Sequence, residues 1–326
     1  MSQGPFLTYR KVSVVTSRPV TSNVPAFRLA LLHPRFWVAW LGIGLLFIIA
    51  WLPDFVTALL SRVLGSYIAA TNKKRRHIGK INLRLCYPDK TETEINAILQ
   101  NHFIEHVRAL LTYPRLWFYP QFLLRRKLLV EGFEQIDSYR KQKRNIIILL
   151  SHSVGLDVAI ASISMRYGAN GPYKHLRHPV FDWLIANRRI RYGGTIFPRE
   201  DGLRPILRAT RIGSPLVYLA DEDLGNERSI FTPLFGIPKA TIPVLGRLAK
   251  SCDAVVLPCI CCYDRQQRRY KTTLLPPIDN MSGDDAGDSL AMNQAIEKTI
   301  ALCPAQYFWS FRIFQTRPPG EASFYG

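Results

Sequence analysis

Residues 36–52 form an uncharged, almost wholly apolar run, and no other feature so narrows the folds open to this chain. The run ends at Pro53-Asp54. Its seventeen residues are the short limit for a membrane-crossing helix, which needs about 20. Trp37, Trp40 and Trp51 lie near its ends, where amphipathic rings favour the headgroup level. A cleavable signal peptide does not fit: the run starts late, is rich in aromatics and has no small-x-small site after it. Arg10, Lys11, Arg18, Arg28 and Arg35 precede it and Lys73-Lys-Arg-Arg76 follows. Such clusters suit anionic lipid on a cytoplasmic face. A buried core helix would share the apolarity but gives no reason for these flanks. The expectation is a membrane helix over residues 36–53, either a short span or a helix dipping into one leaflet. Charge on both sides leaves its orientation open. Residues 54–72 are amphipathic and can lie along the interface.

The whole chain is basic, with 43 Lys plus Arg against 24 Asp plus Glu, a formal charge of +19. That surplus calls for an anionic partner. No zinc finger, ribonucleoprotein signature or basic zipper is present, so nucleic acid is not expected. The 326 residues, 48% hydrophobic, suffice for one large core. No long polar linker or repeat divides them. The organisation expected is a tail (1–35), the membrane helix (36–53), a helical membrane-proximal region (54–120) and an α/β domain (121–326). The six cysteines lack the paired spacing of a zinc site. They are expected to be buried free thiols in a reducing compartment.

Period and punctuation give the remaining elements. Helical spacing covers 91–111 through Ile95, Ile98, Leu99, Phe103 and Val107. The continuous apolar run at 146–150 reads as a buried strand. Helices are expected at 157–165, 180–190, 240–251 and 289–302. Strands are expected at 215–220, 254–260 and 270–275, with Pro258 marking an edge or a bend. Alternating strands and helices indicate an α/β domain with a mixed sheet flanked by helices.

Chemistry concentrates in Ser151-His-Ser-Val-Gly-Leu-Asp157, where a strand ends and a helix begins. His152 and Asp157 are separated by four residues, so a carboxylate in the first helical turn can fold back on the imidazole. It would fix the tautomer and stabilise the imidazolium, and the pair could deprotonate a hydroxyl. The same residues also read as a structural histidine and a helix cap. Ser151 and Ser153 lack the Gly-x-Ser-x-Gly setting of a nucleophile. Asn187-Arg-Arg-Ile-Arg191 offers planar guanidinium forks for phosphate, or a solvated basic face. Asp221-Glu-Asp-Leu-Gly225 could hold a metal with substrate phosphates or make a turn that pairs with nearby arginine. No further acidic cluster supports the metal.

Several motifs in order resemble one family, from about Pro25 to Tyr325. Leu31-Leu-His-Pro-Arg-Phe-Trp37, Trp40-Leu-Gly-Ile-Gly44 and Asn82-Leu-Arg-Leu-Cys-Tyr-Pro88 are similar to the opening of the bacterial late acyltransferases of lipid A biosynthesis. His152-x4-Asp157, Pro179-Val-Phe-Asp182, Gly193-Gly194, Asp221-x-Asp-x-Gly225, Phe231-x-Pro-Leu-Phe235, Lys239-Ala-Thr-Ile-Pro243, Gly246-Arg-Leu248, Gln306-Tyr-Phe-Trp309 and Thr316-Arg-Pro318 extend the likeness. The resemblance implies a glycerolipid-acyltransferase-like α/β fold on an N-terminal membrane helix at the bacterial inner membrane, facing the cytoplasm. It implies an acyl-acyl carrier protein donor, a Kdo-bearing lipid A precursor as acceptor, and neither metal nor cofactor. His152 would act as base and Asp157 would orient it. Arg189, with Arg188 and Arg191, would bind substrate, and Asp221 and Asp223 would support the site by pairing with such basic residues rather than by binding metal. The opening motifs lean to lauroyl members and the central ones to myristoyl members, with the myristoyl step favoured slightly. A glycerolipid acyltransferase and a non-enzymatic basic membrane-surface protein are the competing readings.

Overall fold

The computed structural model describes residues 24–279 and 281–326, so the basic residues Arg10, Lys11 and Arg18 lie outside the described residues. Six helices come first: α1 (Trp37–Ala50), α2 (Asp54–Thr71), α3 (Lys73–Cys86), α4 (Glu92–Thr112), α5 (Pro114–Phe118) and α6 (Gln121–Arg125). Then β1 (Leu128–Glu131), α7 (Glu134–Lys141), β2 (Asn145–Leu150), α8 (Leu156–Tyr167), β3 (Asn170–Tyr173), α9 (Pro179–Ile190) and β4 (Thr195–Pro198) alternate. The rest comprises α10 (Arg204–Arg211), β5 (Leu216–Leu219), the hairpin β6 (Ile230–Leu234) and β7 (Ile237–Thr241), α11 (Leu245–Cys252), β8 (Ala254–Asp264), β9 (Arg269–Leu274) and α12 (Asp285–Leu302).

Seven strands form one sheet in the order β1-β9-β8-β2-β5-β3-β4, parallel except at β8–β9. This is the expected mixed α/β architecture. Its centre explains the run at 146–150. Ile147 and Leu149 pack into the core under α4, α11 and α12, whereas Ile146, Ile148 and Leu150 pack into the core under α7 and α8. A strand covered on both faces has no polar side to show.

Three expectations need correction. Pro258 lies inside the sheet, not at an edge. It sits where β8 changes partner, from β2 (Leu149 opposite Pro258) to β9 (Cys259 opposite Leu274), so its missing N–H falls between two ladders. The helix expected from residue 240 starts at Leu245, because residues 237–241 pair with β6. Cysteines 262 and 303 are joined in a disulfide with Cα atoms 6.1 Å apart, while Cys86, Cys252, Cys259 and Cys261 are the buried free thiols expected. Cys262 directly follows the buried stretch of β8 and Cys303 caps α12, a meeting that their separation of 41 residues hides.

Residues Asp54–Thr71 form helix α2. Thr57, Ser61, Gly65 and Ala69, four apart on α2, face inward, and a Cβ on Gly65 would lie 2.5 Å from the Ile104 Cα of α4. Small side chains let the two backbones close up. Among the described residues no single helix is long and apolar enough to cross a membrane. Residues 34–50 and 54–71 meet the criterion only as a pair whose axes turn by 115°.

Candidate active site

The site lies where β2 ends, the usual position in open α/β sheets. After Leu150 the chain turns through 151–155 into α8. A Cβ on Gly155 would fall 2.0 Å from the Cys261 carbonyl oxygen of β8, so only glycine lets the turn seat this closely on the sheet. The segment after α12 closes over the same turn. Val154 N–H donates to the Gln306 carbonyl (2.9 Å) and Phe308 N–H to the His152 carbonyl (3.1 Å). Asn82 of α3, fully buried, holds that segment in turn: its Nδ2 donates to the carbonyls of Trp309 (2.6 Å) and Phe311 (2.7 Å). Two stretches singled out by resemblance, at 82–88 and 306–309, are thus the frame of the histidine turn.

His152 is gripped twice by one carboxylate. Its Nδ1 lies 2.8 Å from Asp221 Oδ1, and its backbone N–H donates to Asp221 Oδ2, also at 2.8 Å. Asp221 follows β5, is buried, and carries only lone pairs when ionised. Nδ1 therefore bears the proton and Nε2 keeps its lone pair. Burial alone would push the His152 pKa down; the Asp221 bond and the charges of Asp221 and Glu222 outweigh it and raise the pKa above 6.5. Burial likewise opposes ionisation of Asp221. The His152 ring and backbone N–H and the charge of Lys239 outweigh it and hold the carboxyl below 3.8. Lys239, on β7, is fully buried, with its ammonium on the Ala240 carbonyl at 3.1 Å. The rings of Phe308 and Phe311 lie 6.4 and 5.9 Å from the imidazole.

The expected fold-back of Asp157 is corrected by this geometry. Among the hydrogen bonds of the described residues none joins Asp157 to His152. From the first turn of α8, Asp157 faces α9, where its Oδ1 is 3.5 Å from Arg189 Nη2. Its backbone N–H points at the Tyr113 hydroxyl (3.4 Å). The histidine's partner comes from 69 residues away, at the end of the neighbouring strand β5, rather than from the next helix.

The other expected residues divide similarly. Arg189 lies over the Tyr173 ring at 5.7 Å, and Tyr173 is anchored on Asp182 (2.5 Å). Arg188 lies 6.0 Å over the Phe118 ring, and Arg191 Nη1 donates to the Trp117 carbonyl at 2.6 Å, so these two brace α5. Among the salt bridges of the described residues none involves Asp223. It accepts from Thr316 N–H and hydroxyl, both 2.7 Å, and from Gly225 N–H (3.1 Å), and so pins the C-terminal segment. Asp221 does pair with a basic side chain, that of His152, and feels the charge of Lys239. Ser151 and Ser153 are both buried. Sequence reasoning missed Lys239, Tyr113 and Phe308 as parts of the site. Phe308 lay inside a motif already noted, and burial is what marks Lys239.

Chemically this is an α/β protein whose strand-end histidine has one nitrogen locked and the other free to accept a proton. Comparison with known proteins supplies the family. Residues 24–316 match the family described as bacterial lipid A biosynthesis acyltransferase, and the chain belongs to that family of transferases. It is 33% identical over 306 residues to the lipid A biosynthesis lauroyltransferase of Escherichia coli, covering 93% of this chain and 100% of that one. It is 32% identical over 309 residues to the myristoyltransferase of the same organism, covering 94% and 95%. The palmitoleoyltransferase of Escherichia coli is 28% identical over 298 residues, covering 90% and 96%.

Proposed function

We propose that this acyltransferase moves a fatty acyl chain from acyl-acyl carrier protein to a hydroxyl on a primary acyl chain of a Kdo-lipid A precursor, at the cytoplasmic face of the bacterial inner membrane. The observation that carries the reading is the free Nε2 of His152, held in one tautomer by Asp221. Nε2 takes the proton as the acceptor oxygen attacks the thioester carbonyl. The tetrahedral oxyanion collapses, the C–S bond breaks, and the imidazolium returns the proton to the departing thiolate. Ester and free thiol result, with no cofactor consumed. Asp221 stabilises the transient imidazolium. Arg189, turned to the site by Tyr173 and Asp157, meets the acceptor's phosphate or carboxylate. The central motifs at 179–182 and 239–243 favour a myristoyl-type step over a lauroyl-type one.

The test is transfer in vitro. Membranes with wild type or His152→Ala receive acyl-acyl carrier proteins of several chain lengths and Kdo-lipid A precursors with four or five acyl chains, and products are weighed. Removing a general base should cost roughly 10²-fold or more. Equal transfer by both proteins would sink the role of His152. No transfer by a folded wild type, together with acylation of a lysophospholipid, would move the reading to a glycerolipid acyltransferase.

A further inference from the structure

In α2 the usual arrangement of an amphipathic helix is reversed. A water-facing helix turns its apolar stripe to the core. Here Thr57, Ser61, Gly65 and Ala69 are buried, while Phe55, Leu59, Val63 and Tyr67 are exposed. α1 continues that surface. It buries Ala39 and Ile43 against Val180 and Leu184 of α9, and exposes Trp37, Val38, Leu41, Leu45 and Ile48. Val38 and Leu41 are 81% and 75% exposed, which a core helix would not tolerate.

Length and direction argue against a simple crossing. At ~1.5 Å per residue α1 is about 21 Å long, against a hydrocarbon core of about 30 Å. After a 115° turn α2 heads back toward the side from which α1 set out. The elbow is bolted rather than hinged. Buried Arg115 of α5 donates Nε to the Ala50 carbonyl (3.2 Å), Nη2 to the Leu52 carbonyl (2.7 Å) and Nη1 to Asp54 (2.7 Å). It satisfies the open carbonyls that end α1 and the acid that starts α2. Lys127 also pairs with Asp54.

Charge selects the occupant of this face. From residue 24 to residue 88, Asp54 is the one acid, and it is already paired. Arg28, Arg35, Arg62 and Lys73-Lys-Arg-Arg76 are exposed around the apolar surface. An apolar face rimmed by unopposed cations matches an anionic bilayer. The same face reaches the site. Phe47 packs on Phe118 (5.4 Å) and Trp51 on Tyr119 (4.9 Å), while Arg188 and Arg191 brace the same short helix, α5.

We propose that α1 and α2 form a single re-entrant docking face, seated in one leaflet of an anionic bilayer without crossing it, with both outer ends on the catalytic side. The acceptor's headgroup then meets the α9 arginines at the leaflet surface while its chains stay in lipid.

Thiol labelling tests this directly, since the native free cysteines are buried. Leu29→Cys and Lys74→Cys, at exposed positions flanking the pair, are probed with an impermeant maleimide in sealed inside-out membranes and in spheroplasts. Both thiols should label in inside-out membranes and neither in spheroplasts. Labelling from opposite sides overturns the proposal. A second arm uses Leu41→Glu, Leu45→Glu and Leu59→Glu together, with vesicles of phosphatidylethanolamine and phosphatidylglycerol. The variant should lose most vesicle binding. Undiminished binding, or a wild type that ignores vesicles and dimerises through this face instead, overturns it. Labelling reads topology whether or not acyl transfer occurs, so either reading can fail while the other stands.

Discussion

Asp221 holds His152 at two points, ring nitrogen and backbone N–H, at 2.8 Å each. One carboxylate thereby fixes both the tautomer of the imidazole and the turn that carries it. Asp221→Asn should keep the fold but lower kcat by roughly 10²–10⁴-fold, the scale of general-base contributions. Asp157→Asn should cost about tenfold or less, near 1.4 kcal/mol, and act through Arg189, raising KM for the acceptor more than it lowers kcat. Steady-state kinetics of the two variants separates the roles. A larger kcat loss for Asp157→Asn would return the histidine to Asp157.

The raised pKa of His152 sets the pH dependence. The base works when neutral, so kcat/KM should fall as pH drops through a value above 6.5, and Asp221→Asn should move that limb down. Stability follows the same pair. The contribution from charged His152 is full below 6.5 and is lost as pH rises through the raised folded value. The contribution from Asp221 is present above 3.8 and is lost as pH falls through its lowered folded value. Tm against pH for wild type and Asp221→Asn should diverge most between these limits.

Lys239 is a buried cation beside a buried anion. Lys239→Met should destabilise by about 3–5 kcal/mol, the usual cost of leaving one buried partner alone. It should also raise the acid limb of the rate profile, because the positive charge that opposes Asp221 has gone. In a double-mutant cycle with Asp221→Asn the two stability losses should not add. Simple additivity in thermal melts would show that the two charges are uncoupled.

Gly155→Ala places a methyl carbon 2.0 Å from the Cys261 carbonyl oxygen. The histidine turn must lift from the sheet. Loss of about 1–3 kcal/mol is expected from the overpacking, and a shift of ~1 Å at His152 can cost about 10²-fold in rate. Thermal melts and transfer rates on the same preparation check both.

The legible parts of the fold were those with a strong local signal. The β2 run is apolar because both of its faces are covered, and α4 carries regular spacing behind a Thr91–Glu94 capping box. Strands β3 and β4 carried no such signal. Residues 170–173 include Gly171 and Pro172, which disfavour strands, and tertiary pairing with β4 and β5 imposes the conformation. In the site, His152 stood out because it follows a strand. Its partner did not, since sequence spacing favoured the nearby Asp157 and the sheet delivers Asp221. Lys239 opened a motif already noted, but only its burial beside Asp221 placed it in the site.

The segment at 304–311 is made long after residue 152, yet it shares the backbone bonds that close the His152 turn. Helices α1 and α2 are made before both. During synthesis their exposed apolar face is therefore finished long before the histidine is framed. A chain truncated before residue 304 should keep that face and lack a competent base, so acyl transfer waits for this segment.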